Sequence, residues 1–285
     1  MKLTSIQTGF FKLDGGAMFG VVPKSMWNKK IPADDQNMCT WSMRCLLIET
    51  GDRKILVDTG LGDKQDEKFR SHFHPHGDYT LLNSLAGAGV QANEITDVFL
   101  THLHFDHDGG AVIRSAGGEL IPTFPNAKYY TSKSHYDWAL TPNPRERASF
   151  LTENFVPLAD HGCLEYLYDF NGEEWLTGIR LYSTYGHTHG MMYLDIEVGD
   201  RHVIYCADVM PSVHHVGLAY VMAYDILPLV SIKEKESMLE RAVERNDILF
   251  LEHDAIHECC TVKRNERGRV VLDQSMTLKE ALVSK

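Results

Sequence analysis

Residues 101–110 read Thr-His-Leu-His-Phe-Asp-His-Asp-Gly-Gly, and this stretch constrains the chain more than any other. It places three imidazoles and a carboxylate, His102, His104, Asp106 and His107, within six positions. These are the ligand types that borderline divalent metals such as zinc prefer. The apolar run Val98-Phe99-Leu100 comes just before them, so the pattern predicts a buried strand that ends in a metal site. Residues two apart on an extended segment point the same way, which lets His102 and His104 reach one metal from one side. Asp106 and His107 are adjacent and need a turned backbone to face a second metal. Gly109-Gly110 is expected to allow that turn. The competing reading, a His-rich surface loop, does not account for the ordered spacing behind an apolar run.

Length and composition set the outer bounds. A chain of 285 residues with 44% apolar residues can bury a substantial core, and no linker, repeat or low-complexity tract divides it. We therefore expect a single domain over 1–285, with an N-terminal extension over about 1–43. The net charge of −11 argues against a nucleic-acid partner, which needs clustered Lys and Arg. Six scattered cysteines form no C-x-x-C pair and read as buried thiols. No stretch near 20 apolar residues appears, and Gln7, Lys12 and Asp14 interrupt any signal-like segment, so neither membrane contact nor a leader is expected and the cytoplasm is the default.

Residues 44–50 and 54–58 read as a strand pair turning at Gly51-Asp52-Arg53. A helix is expected over 80–90, and strands over Ile179–Ser183, Met192–Val198, His202–Cys206 and Ile248–Glu252. A helix over 231–245 would be capped by Ser231. Residues 10–27 suggest a strand pair over the core, or an apolar lid. Residues 134–161 suggest an insertion near the site. Periodicity alone supports a mixed α/β chain.

One motif cannot complete a two-metal site, because each ion needs about four ligands. Three other segments end apolar runs with suitable donors: Tyr185-Gly186-His187-Thr188-His189-Gly190, Ala207-Asp208 and Glu252-His253-Asp254. With them in place, the sequence resembles the metallo-β-lactamase-fold hydrolase superfamily. Its H-x-H-x-D-H, later His, Asp and last His are matched by His102, His104, Asp106, His107, His187, Asp208 and His253. The family's early Asp is matched by Asp58 in Val57-Asp58-Thr59-Gly60. The resemblance covers about residues 44–255 and implies a four-layer αββα sandwich. It also implies two divalent ions, zinc first, with iron, manganese or cobalt as alternatives. His102, His104 and His187 would hold one ion. Asp106, His107 and His253 would hold the other, and Asp208 would bridge both. Asp58 would orient a ligand. Asp106 and Asp208 would be the catalytic carboxylates, with Asp106 able to handle a proton. The family pattern places the ligand directly after Gly, so His189, two residues beyond His187, reads as a pocket residue. Asp108 reads as an N-terminal partner of a following helix.

The resemblance is specific for the superfamily and less so for the reaction. Within it, N-acyl-homoserine-lactonase-like and methyl-parathion-hydrolase-like members match best, which implies a small-molecule lactone or ester as substrate. The lactonases carry a Tyr three residues after the bridging Asp; here that position is Pro211, with His214, His215 or Tyr220 as candidate substitutes in substrate binding. That departure raises phosphotriester or aryl-ester hydrolysis as an alternative. A mononuclear-iron persulfide dioxygenase is the alternative from another class, and a metal-binding protein without catalysis is a third. His72, His74 and His76 alternate in a polar loop but exceed the ligand set. The apolar stretch 219–228 suits a pocket wall or a homodimer contact.

Overall fold

The computed structural model describes residues 1–283, which divide into two compact units. The first comprises Met1–Phe11 and Met43–Asp169; the second comprises Lys12–Ser42 and the chain from Phe170 onward. A six-stranded sheet is made of β1 (Lys2–Asp14), β2 (Met38–Thr50), β3 (Arg53–Val57), β4 (Asp97–Phe99), β7 (Lys128–Ser132) and β8 (Leu164–Leu167), in that order. A hairpin of β5 (Val112–Arg114) and β6 (Leu120–Pro122) stands apart from it. The β2–β3 pair is antiparallel, whereas β3, β4, β7 and β8 run parallel. Parallel strands are covered on both faces, so they read as continuous apolar runs. Accordingly Ile55, Leu56, Val57, Val98 and Phe99 have no exposed surface.

In the second unit, β9 (Asn171–Leu176), β10 (Ile179–Thr184), β11 (Met191–Val198), β12 (Arg201–Tyr205), β13 (Ile248–Phe250), β14 (Cys259–Arg264) and β15 (Val270–Met276) pair in chain order. All neighbours are antiparallel except β12 and β13, which run parallel, with Tyr205 opposite Phe250. Each unit therefore contains parallel strands of its own, with adjacent C-terminal ends within that unit. In open sheets, ligand sites are built just beyond such ends.

Several local expectations need correction. The helix expected at 80–90 is shorter, Leu81–Gly87, because Thr80 caps it by accepting from the Asn83 N–H and the chain turns at Gly89. The helix expected from Ser231 begins earlier and runs Pro228–Arg245, with proline at the first helical position, where its missing N–H costs nothing. Ser231 lies inside that helix and bonds back to the Leu227 carbonyl. Residues 10–27 are not a strand pair: β1 ends at Asp14, whose side chain caps a helix Gly15–Phe19, and a second short helix spans Lys24–Trp27. The six cysteines are thiols, five of them buried. Among the described residues, no helix is long and apolar enough to cross a membrane.

Candidate metal centre

In the first unit the donors gather beyond β3 and β4. The Asp58 N–H donates to the Phe99 carbonyl, which ties the two strand ends together. Asp58 has a left-handed φ of 57°, a conformation that costs a non-glycine residue about 1 kcal/mol or more and persists only where its surroundings enforce it. The enforcing contacts are visible. Its buried carboxylate accepts from the Thr101 N–H and from Thr101 Oγ1, both at 2.8 Å, and from His107 Nδ1 at 3.2 Å. Thr101 Oγ1 in turn lies 3.1 Å from His102 Nδ1. With Nδ1 of His102 and His107 donating outward, Nε2 of each ring is left as a lone pair. His102 Nε2 stands 3.1 Å from His104 Nδ1, and His107 Nε2 stands 3.7 Å from Asp106 Oδ2. All four side chains are buried.

The close approach that shapes this loop involves Gly109 and Gly110, for a reason other than turning freedom. Gly109 has an ordinary right-handed backbone. A Cβ there would lie 2.0 Å from the Leu61 carbonyl oxygen, and one on Gly110 would lie 2.3 Å from that of Thr59. Glycine is needed because the 59–62 loop passes directly over the end of the motif.

In the second unit, Asp208 presents one oxygen to each of two imidazoles. Oδ2 is 3.0 Å from His187 Nε2, and Oδ1 is 3.1 Å from His253 Nε2. Asp208 and His253 follow the parallel strands β12 and β13, and His187 follows β10. Ala207, just before Asp208, is again left-handed, with φ of 45°. The outward nitrogens are held: His187 Nδ1 by Asp225 Oδ1 at 3.0 Å, and His253 Nδ1 by the Ser42 carbonyl at 2.8 Å. Burial disfavours the charged His187 ring, but Asp208 and Asp225 outweigh it and raise its pKa to about 10. A cation that binds His187 must therefore expel a proton.

The donor chemistry fits a metal. Two ring nitrogens on one tetrahedral zinc at its usual bond length lie about 3.3 Å apart. His102 Nε2 and His104 Nδ1, at 3.1 Å, meet that spacing within the first unit. The comparisons with known proteins agree. The profile of the Metallo-beta-lactamase superfamily matches residues 44–253. The chain belongs to the metallo-beta-lactamase superfamily. It is 26% identical over 171 residues to an N-acyl homoserine lactonase of Bacillus thuringiensis, a match covering 56% of this chain and 59% of that protein. The chain spans about half the length of the curated relatives it matches. A probable metal-dependent hydrolase from Staphylococcus aureus superposes with a TM-score of 0.87 at 26% identity, covering 97% of this chain and 96% of that one. AidC, a dizinc quorum-quenching lactonase in complex with a product, superposes with a TM-score of 0.76 at 22% identity, covering 95% and 93%.

Within this superfamily fold, the remaining predicted residues separate by environment. His189 is half-buried beside the Tyr185 ring. His214 is half-buried and kept below the usual imidazole pKa by desolvation. Tyr220 is half-buried, edge-on to Phe19. His215 departs from the expectation of a substrate contact. It is fully buried, bonded to Ser212 Oγ and the Met18 carbonyl, and stacked on Phe19 at 4.8 Å, so it offers no nitrogen to a ligand. Pro211 accepts from the His253 N–H through its carbonyl. Asp108 does not serve a following helix. It ends the short helix Phe105–Asp108 and accepts from Asn154 Nδ2 at 2.7 Å. In the alternating loop, His74 takes the left-handed position that ends the helix Glu67–Phe73, and His76 stacks on Phe10.

Sequence reasoning assigned no site role to Asp225, Glu234 or Glu146, while His135 falls in the insertion expected near the site over 134–161. Asp225 had a signal, as the one charged residue in the apolar stretch 219–228. Glu234 accepts from the Tyr185 and Gly186 N–H groups and fixes the turn that carries His187. Gly186 itself is required there, since a Cβ would lie 2.3 Å from the Ser231 nitrogen.

Proposed function

We propose that the chain is a dinuclear metal-dependent hydrolase that opens a lactone or ester of a small molecule. One observation carries this reading: the outward nitrogen of each of four imidazoles lies within hydrogen-bond distance of an acceptor. Thr101, Asp58, Asp225 and the Ser42 carbonyl serve His102, His107, His187 and His253 in turn. Metal-ligating histidines are held in this way, which fixes their tautomer and aim. Under this reading His102, His104 and His187 hold one ion, Asp106, His107 and His253 hold the other, and Asp208 is shared. The nitrogen and oxygen donors suit zinc, as in the dizinc lactonase of the same fold, and also iron, manganese or cobalt.

When bound, two such ions supply Lewis acidity and a water acidified toward neutral pH. The chain's own part is to aim the donors and to handle protons. Asp106 can return a proton to a departing alkoxide, and Asp58 holds His107 in the required tautomer. Apolar surface for the substrate is supplied by an aromatic cluster in the first unit. Phe105, between two donors in the sequence, has its ring 5.1 Å from Phe69 and 4.4 Å from Phe73. Such a cluster suits an acyl chain, and the lactonase relative supports a lactone. A second reading, phosphotriester or aryl-ester hydrolysis, draws support from Pro211, which brings no phenol to the position where the lactonases carry one.

A substrate panel with metal-loaded protein tests the choice, using acyl-homoserine lactones, simple γ-lactones, paraoxon-like esters and S-lactoylglutathione. Acyl-homoserine lactones should be turned over, and a decanoyl chain should exceed a butanoyl chain by about tenfold in kcat/KM. A few methylenes packed on the rings account for about 1–2 kcal/mol. Turnover confined to phosphotriesters would replace the lactone reading with the second.

A further inference from the structure

The segment 132–150 surrounds the first two ligands without contributing one. Its helix Lys133–Leu140 carries His135, fully buried, whose Nε2 accepts the Leu103 N–H at 2.8 Å. At its far end the Ser149 carbonyl accepts the Phe105 N–H at 2.9 Å, and the Phe150 ring lies 4.9 Å from the His104 ring. The backbone is thus anchored on both sides of His104.

Between these anchors sits Glu146, only 3% exposed although Arg145 and Arg147 beside it face solvent. A carboxylate this buried costs several kcal/mol unless its oxygens are engaged. Oε2 accepts from Trp138 Nε1 at 2.9 Å and from Asn143 Nδ2. Oε1 stands 3.8 Å from His104 Nε2, beyond hydrogen-bond distance, and faces that side of the ring. On the opposite side of the same ring, Nδ1 faces His102 Nε2.

We propose that Glu146 is a positioning residue for His104: its carboxylate holds the Nε2 side of the ring and so presents Nδ1 to the metal. The inference rests on the metal reading above. It gives the segment a defined division of labour. His135 and Ser149 fix where the backbone of the ligand loop runs, while Glu146 fixes which nitrogen of His104 faces inward. Trp138 and Asn143 hold Oε2 and so orient the carboxylate beside the imidazole. Histidines that ligate metals through one nitrogen depend on such partners at the other, and losing one lowers metal affinity or activity by about 10–100-fold.

The test uses Co(II) alone as the probe on the metal-free full chain, comparing wild type, Glu146→Gln and Trp138→Phe. Glu146→Gln keeps the shape and removes the charge. We expect its Co(II) affinity to fall by about 10–100-fold, its visible d–d spectrum to change, and kcat to drop with little change in KM. The metal-free unfolding midpoint should stay near wild type. Trp138→Phe removes the indole N–H bond to Glu146, so it should show a smaller loss of the same kind, and it decides the matter if Glu146→Gln does not fold. Wild-type Co(II) affinity and spectrum in the folded variants would overturn the inference and leave the metal reading intact. A wild-type chain that takes up no Co(II) would overturn both.

Discussion

Asp208→Ala is expected to lower kcat/KM by a factor on the order of 1000 or more, about 4 kcal/mol of transition-state stabilisation. The size follows from what the side chain does. Its two oxygens face two different imidazoles at 3.0 and 3.1 Å, so removing it takes the facing carboxylate oxygen from both His187 and His253. The fold is expected to survive with some loss of stability, since the metal-free protein gives up the pairing of Asp208 with His187. Steady-state kinetics with the best substrate of the panel, together with a thermal melt, separates the two effects. An active and stable Asp208→Ala would show that this carboxylate is not part of the reaction.

The second large effect is expected at Asp58, through stability. Asp58→Ala should cost about 2–4 kcal/mol, because it strands the buried Thr101 N–H and hydroxyl and releases His107. Activity should fall a further 10–100-fold or so as His107 loses its fixed tautomer. The backbone offers an internal control. At φ 57° glycine is at ease and alanine is not, so Asp58→Gly should be less destabilised than Asp58→Ala by about 1 kcal/mol. Denaturant melts of both variants check this. Equal losses would mean that the left-handed backbone at Asp58 carries no cost.

The parts of the site legible in the sequence are those set by local spacing. The motif His102–His107 follows an apolar strand, and Asp58, His187, Asp208 and His253 each follow another, so periodicity and residue type mark them. The residues that aim the ligands left weaker traces. Asp225 lies 38 positions from His187, and the acceptor for His253 is the backbone carbonyl of Ser42, which any residue would supply. Glu146, flanked by two exposed arginines, reads as solvent-facing until the fold buries it. Gly109 and Gly110 were legible as necessary glycines, but for the wrong reason. Turning freedom is a local property, whereas the carbonyls of Leu61 and Thr59 that exclude a Cβ come from another loop. Helix limits shifted where a cap outside the periodic run took over, as with Pro228 in place of Ser231.

Under the proposed function these donors hold a pair of divalent ions used for hydrolysis. The most direct measurement is the metal content of the purified full chain, followed through chelation and reloading, with activity read at each step. The expectation is two divalent ions per chain, with loss of turnover when they are stripped and recovery when zinc is restored. One iron per chain, with oxygen consumed during turnover, would contradict it.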